Sequence, residues 1–467
     1  MEGEVPDLWR MANVTALFKK GSKLQPSNYR PVSLTSVPCK ALESLVREAI
    51  MDHCERAGVI SKKQHGFVFK RACVTNLLES LDIMTQAMYD GFAVDVIYTD
   101  FAKAFDTVPH RRLLHKLRAY GIGGELLAWI EAWLKNRKQR VVLGEHTSEW
   151  KTVSSGVPQG SVLGPLLFVL FINDLPDDMN HNMKLYADDS KIIGVIKTAE
   201  DVENLQNDIN AAHAWSQRWL MRFNISKCKV MHVGRDKVRS TAEYFMMNEQ
   251  GNQQELEVTR VERDLGVMIS DDLKLGHQVG EAAARANRVL GMFKKTFKSR
   301  GLSLWKSLYT TYIRPHLEFS IQAWSPYQAG DILTLERIQR RATKTITAIA
   351  KLPYTERLKR LKLTSLEERR ERGDLIQLFK FSRGIDRIEW QNMPPPAPAL
   401  NGMGPASNTR GHKERLERLA APGCPQRHNF FTYRVVNPLN NLPQHALDAT
   451  SVNSFKSRVD RHAADSR

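Results

Sequence analysis

Tyr186-Ala187-Asp188-Asp189 sets two adjacent carboxylates between the apolar segments Met183-Lys184-Leu185 and Ile192-Ile193-Gly194-Val195. The spacing predicts a β-hairpin with the acids at its tip. A third carboxylate, Asp100, follows directly on Val94-Asp95-Val96-Ile97-Tyr98-Thr99, a run that reads as a strand. Carboxylates are hard oxygen ligands. Three of them at strand ends can hold two divalent cations, and a two-metal clamp suits in-line displacement at phosphorus. An Asp-Asp pair alone is more often a solvated turn, so the decision falls to its neighbours. Successive residues of a strand point to opposite faces, so the two acids are expected to differ. Asp188 with Asp100 is the expected main metal bridge, and Asp189 the more dispensable partner.

Two neighbouring segments add to the chemistry. Asp100-Phe101-Ala102-Lys103-Ala104-Phe105-Asp106 carries a second acid, Asp106, which precedes the turn into Pro109 and reads as a structural cap. Between the two strands lies Ser155-Gly156-Val157-Pro158-Gln159-Gly160-Ser161, followed by an apolar run from Val162 to Ile172. Glycine and proline permit a tight loop with close backbone approach. Such a loop can lie beneath a base pair, and the apolar run beyond it predicts a buried helix.

The elements that must position these residues are partly legible. Asn13-Val14-Thr15-Ala16-Leu17-Phe18 predicts a strand, and Ala41 to Met51 a helix with Leu42, Leu45, Val46 and Ile50 on its apolar side. Thr198-Ala199-Glu200-Asp201 reads as a capping box opening a helix whose stripe is Val202, Leu205, Ile209, Ala212, Trp215 and Trp219. From about 275 to 350 the pattern is helical and basic, with Arg285, Arg288, Lys294, Lys295, Lys298 and Arg300 close together and Arg337-Ile338-Gln339-Arg340-Arg341 on a second amphipathic run. Residues 391–412, with Pro394-Pro395-Pro396, read as a linker.

Composition sets the outer bounds. The chain has 467 residues, 42% apolar and 25% charged, which is ordinary for a globular protein, and a net charge of +17, which is not. That excess suits a polyanionic partner, most simply nucleic acid. Five cysteines without a Cys-x-x-Cys pair exclude a zinc knuckle of usual spacing and argue against a disulfide framework. The acidic opening Met1-Glu2-Gly3-Glu4-Val5 is no signal peptide, and no apolar run is long enough for a bilayer. An intracellular protein, cytoplasmic or nuclear and without a membrane partner, is expected.

In their order, the Asp100 block, the Gly-Val-Pro-Gln-Gly loop and Tyr-Ala-Asp-Asp resemble a reverse transcriptase. More narrowly, the chain is similar to the polymerase of non-LTR, LINE-like retrotransposons of the chicken-repeat and jockey type. The motifs are Asn28-Tyr29-Arg30-Pro31-Val32-Ser33-Leu34, Gln64-His65-Gly66-Phe67, Phe171-Ile172-Asn173-Asp174-Leu175, Asp264-Leu265-Gly266-Val267 and Tyr312-Ile313-Arg314-Pro315-His316-Leu317. The resemblance covers roughly residues 8–350. It implies an α+β, right-hand polymerase fold with fingers, an antiparallel-sheet palm and a helical thumb, followed by a mostly helical C-terminal region. The implied boundaries are fingers over 1–93 with a shortened first strand, palm with part of the fingers over 94–274, thumb over 275–350, and a C-terminal region over 351–467.

The resemblance also implies site residues. Asp100, Asp188 and Asp189 would bind two Mg²⁺ ions, with Mn²⁺ as an alternative. Lys19 and Arg30 would hold the phosphates of the incoming dNTP, and Phe105 would be the gate that excludes a 2′-hydroxyl. Gln159 and Gly160 would support the nascent base pair. Lys227 would protonate leaving pyrophosphate, with Lys229 its rival, and Leu265-Gly266 would grip the primer end. The implied partners are an RNA template, a DNA primer and dNTPs. An endonuclease segment is not expected within the chain. One departure stands out: Lys70-Arg71-Ala72 replaces a Gly-Arg-Ser-like pattern, removing a glycine's access to positive φ. The alternative reading is a catalytically inactive nucleic-acid-binding remnant, and a metal nuclease is a weaker third.

Overall fold

The computed structural model describes residues 4–248, 250–397 and 412–465. Its centre is a five-stranded sheet in the order β12 (Glu257–Val258), β9 (Lys229–Val233), β3 (Ala93–Thr99), β8 (Asp189–Ile196), β7 (Asn182–Tyr186). Neighbours are antiparallel except β12, which runs parallel to β9. The expected strand over 94–99 is the middle of this sheet, and the expected hairpin is β7–β8. Its two strands close on the pair Tyr186–Asp189, leaving only Ala187 and Asp188 in the turn.

Both faces of the sheet are covered, which is why its strands read as near-continuous apolar runs. Val94, Val96, Ile193, Met231 and Val233 face one core, and Ile97, Ile192 and Val230 face the other. The second core holds α1 (Val37–Ala57), the helix Gly164–Phe171 and the helix Ala199–Trp219. The apolar run after Val162 is thus a buried helix, and Asp201 does accept the Thr198 amide at 2.8 Å at the start of its own. A lone acid within the central strand, Asp95, is fully buried. It is satisfied by His232 Nδ1 and the Tyr244 hydroxyl, both at 2.7 Å.

The N-terminal strands form a separate sheet. β1 (Met11–Phe18) pairs antiparallel with β2 (Tyr29–Leu34) and parallel with β4 (Lys138–Leu143), which carries the two-residue strands β5 (His146–Thr147) and β6 (Lys151–Thr152). Two small hairpins complete the β structure: β10 (Phe245–Met247) with β11 (Gln253–Glu255), and β13 (Val261–Asp264) with β14 (Val267–Ser270). The fold is a mixed helix-and-sheet one, helical from Gly276 onward.

The first core extends from α2 (Cys73–Asp90) through the helices Gly276–Thr296 and Ala329–Lys344 to Phe455 and Val459. α2 is therefore enclosed on nearly every side, and its polar residues Glu79, Asp82 and Thr85 are buried with it. Each needs a partner. Asp82 has Arg427, both side chains almost fully out of solvent and 2.8 Å apart. It also accepts the amides of Gln391 and Asn392 at 2.9 and 3.0 Å. Of the segment 391–412 read as a linker, residues 391–392 are bonded to a buried carboxylate, and 398–411 lie outside the described residues. Among the described residues no helix is long and apolar enough to cross a membrane.

Candidate active site

The hairpin turn is built by a second loop. Ala187 adopts φ +54°, a left-handed conformation that a residue with a Cβ rarely takes. Gln64-His65-Gly66 runs beside it. His65 donates its amide to the Leu185 carbonyl and Leu185 to Lys63, both at 2.9 Å. The buried Gln64 side chain then accepts the amides of Gly66 at 2.7 Å and Ala187 at 3.0 Å. A Cβ at Gly66 would stand 2.4 Å from the Ala187 nitrogen, so only glycine allows this approach. Four residues on, Lys70 adopts φ +62° without being glycine, and its carbonyl accepts the Arg387 amide at 2.7 Å. The departure read in the sequence is absorbed by a strained residue, at a cost on the order of 1–2 kcal/mol.

Asp100 follows the last β3 pair, Thr99 with Ser190, and so stands beside Asp189. Its carboxylate accepts Lys227 Nζ at 2.7 Å, while Lys229 pairs with Glu262 at 3.1 Å. An open cleft of ≈ 400 Å³ is lined by Asp100, Tyr186, Asp189, Lys191, Lys227 and Asp264, among others. Desolvation in the cleft and the charges of Asp188, Asp264 and Asp100 push Asp189 up to about 6. Asp188 is also raised, by burial and then by Asp100, with Arg30 and Lys19 pulling it back. The two acids are thus inequivalent in their surroundings. Asp188 is half-buried toward Asp100, Arg30 and Lys19, and Asp189 is the more exposed of the two, set against the cleft wall with Asp264 beyond it.

The glycine loop is threaded between β2 and the short helix Ala104–Thr107. Ser33 donates its amide to the Gln159 carbonyl and Val157 to Phe105, both at 2.7 Å. Gly160, at φ +121°, would bring a Cβ within 2.4 Å of the Ser33 oxygen. Phe105 is half-buried, its ring stacked on Phe168 at 4.5 Å and 17°. Asp106 stands in the same short helix, where its carbonyl receives the Ser155 hydroxyl at 3.0 Å. Beneath the loop, Glu43 of α1 accepts the amides of Val162 and Leu163 at 2.7 and 3.1 Å and holds the start of the helix Gly164–Phe171. Among the basic residues expected to face a duplex, Arg285 is paired with Glu281 at 2.9 Å, whereas Lys294 lies beside Arg341 and Arg300.

Asp100, Asp188 and Asp189 are a hard-oxygen set in which Asp100 raises both neighbours and Asp188 raises Asp189, which is the electrostatic setting a divalent cation relieves. In the conformation described, Asp100 is drawn to Lys227, and no three acid, histidine or cysteine groups among the described residues converge on one point. The donor types fit Mg²⁺. Sequence reasoning missed Glu43, Gln64, Glu79, Lys184, Lys191 and Asp264 as supports of the site. The available signal was a charged or amide residue in a buried segment, but its partner lies 73 to 123 residues away.

Residues 18–269 match the family described as reverse transcriptase (RNA-dependent DNA polymerase). The chain is 28% identical over 236 residues to the RNA-directed DNA polymerase from mobile element jockey of Drosophila melanogaster, covering 48% of this chain and 26% of that one. It is 24% identical over 365 residues to the probable RNA-directed DNA polymerase from transposon BS of the same fly, covering 73% and 39%. The chain therefore spans from about a quarter to two-fifths of the length of these curated relatives. Apo telomerase from Candida tropicalis aligns at 11% identity and a TM-score of 0.43 over 74% of this chain and 59% of that one. The matched span takes in the Asp100 strand, the loop seated on β2 and the Asp188–Asp189 hairpin, and the chain belongs to the reverse transcriptase (RNA-dependent DNA polymerase) family.

Proposed function

We propose that the chain is the RNA-directed DNA polymerase of a non-LTR retrotransposon, joining dNTPs to a primer 3′-hydroxyl on an RNA template. One observation carries the reading: Asp100 and Asp189 line one cleft with Lys227 bound to Asp100, and Asp188, next to Asp189 in the turn, feels the charges of Asp100, Arg30 and Lys19. In this reading residues 1–93 with part of 94–274 are fingers, the five-stranded sheet is the palm, 275–350 is the thumb and 351–467 is a helical C-terminal region.

Held by Asp100, Asp188 and Asp189, two Mg²⁺ ions would lower the pKa of the primer hydroxyl and neutralise the triphosphate and its leaving pyrophosphate. The chain's own groups do the rest. The Arg30 guanidinium grips phosphate oxygens with paired donors and Lys19 adds a compact charge. The Lys227 ammonium, freed from Asp100, stands ready to give its proton to pyrophosphate. The Phe105 ring, backed by Phe168, lies under the sugar and offers a 2′-hydroxyl neither space nor partner. Gln159 and Gly160 support the nascent pair, and Leu265-Gly266 the primer end. Lys294, Arg300 and Arg341 meet the backbone of the hybrid, a contact weakened by salt.

Extension of oligo(dT) on poly(rA) with Mg²⁺ tests this. Incorporation of dTTP is expected, and its loss in Asp188→Ala. Incorporation no higher than in that variant, with hybrid binding intact, would establish the inactive nucleic-acid-binding protein instead.

A further inference from the structure

The β7–β8 hairpin carries buried positive charge as well as acids. Lys184 lies in β7, two residues before Tyr186, and its ammonium is bound by Glu79 of α2. Both side chains are nearly inaccessible, at 4% and 1%. Glu79 divides its two oxygens between different parts of the chain. Oε2 takes Lys184 and lies 3.4 Å from His65 Nε2, in the loop that supports the turn. Oε1 accepts the backbone amide of Glu389 at 2.9 Å. Glu389 belongs to a segment that returns from the C-terminal helices across this side of the molecule. Further anchors include the Arg387 amide on the Lys70 carbonyl, the Gln391 and Asn392 amides on Asp82, Arg427 on the Asn392 carbonyl, and the Glu389 carboxylate beside Lys62 and Arg71.

We propose that Glu79 is a positioning residue for the Asp188–Asp189 turn, and that the strap Arg387–Asn392 holds Glu79 in place. The physical reason is the cost of a buried carboxylate. Its oxygens must all be satisfied, so the strap amide fixes the carboxylate on one side and thereby fixes the lysine and the His65 loop on the other. Loss of the strap lets Glu79 rotate toward other donors, and the turn loses a buried tie close to the acids. The C-terminal region thus becomes part of the polymerase rather than an appendage, a role that rests on the polymerase reading above.

The test uses the full chain and reads position and activity separately. Glu79→Gln keeps size and removes the charge. Glu389→Pro removes the strap amide, and Glu389→Ala keeps that amide while removing the carboxylate. Hydrogen exchange is followed at the amides of His65, Leu185 and Ala187, and single-nucleotide extension on a primed RNA template is measured alongside. Glu79→Gln and Glu389→Pro should speed exchange at those amides at least tenfold. They should lower the extension rate at least tenfold with the KM for primer–template within about twofold, and Glu389→Ala should do less than Glu389→Pro. Unchanged exchange in Glu79→Gln, or in Glu389→Pro should Glu79→Gln not fold, overturns the proposal. A wild-type chain that extends no primer defeats the polymerase reading instead, while the exchange comparison still decides the clamp.

Discussion

Lys184 and Lys191 face each other directly across the two strands of the hairpin that ends in Asp188 and Asp189. Like charges in that position repel. Each is held by an acid from a different direction, Lys184 by Glu79 of α2 and Lys191 by Asp264 of β13. The hairpin is therefore held from one face by two separate elements, the helix α2 and the β13–β14 hairpin.

Removing one partner of such a pair leaves an uncompensated buried charge. Asp264→Ala should cost about 3–5 kcal/mol, read from urea unfolding. The double substitution Lys191→Met/Asp264→Leu should restore most of that stability, because the pair itself is close to neutral against an apolar replacement. A double variant as unstable as the single would reject the pairing.

Asp189 is raised from 3.8 to about 6, so the folded chain binds the proton more tightly than the unfolded one. Stability from this group is present below pH 4 and is lost as pH climbs through 6. In EDTA, Asp189→Asn should therefore raise the Tm above pH 6 and leave it unchanged below pH 4. A Tm difference independent of pH would contradict the shift.

Gly66→Ala drives a methyl into the Ala187 nitrogen, whereas a methyl added at Gly330 meets nothing within 4 Å. The first should cost about 1–3 kcal/mol by forced displacement and reduce primer extension at least tenfold. Gly330→Ala should be neutral in both assays.

Phe105→Ala should increase ribonucleotide incorporation relative to deoxynucleotide. Unchanged discrimination, measured as the ratio of kcat/KM for dTTP and UTP, would remove Phe105 from the gate. Phe168→Ala takes away the ring it stacks on and should loosen the same discrimination, at a cavity cost of about 3–5 kcal/mol.

Lys227 and Asp100 form a partly exposed pair, at 61% and 35%. Such pairs are worth about 0–1 kcal/mol. Lys227→Ala should leave stability within that margin yet slow single-turnover extension far more than Lys229→Ala does. Equal effects of the two would leave the proton donor unassigned to either.

What the sequence revealed follows the range of the interaction. Asp100 and the Asp188–Asp189 turn were legible because strand ends and turns are written in adjacent residues, and so was the capping acid Asp201. The ties that hold them were not. Glu79 meets Lys184 from 105 residues away, and Lys191 meets Asp264 from 73. Local periodicity carries no record of such pairs. α2 is buried nearly all round because sheet and C-terminal helices cover it together. Gln391 and Asn392 read as linker because their bonds are made by backbone amides, which every sequence possesses.

The buried bond between Asp82 and Arg427 joins residues 345 positions apart. A ribosome adding about 5–20 residues per second delivers the arginine well after the acid, so α2 lacks that partner while the 345 positions between them are traversed. Until Arg427 emerges, the nascent chain holds its first core open on the side that Arg427 closes. A message cut short before that codon leaves Asp82 buried without its arginine.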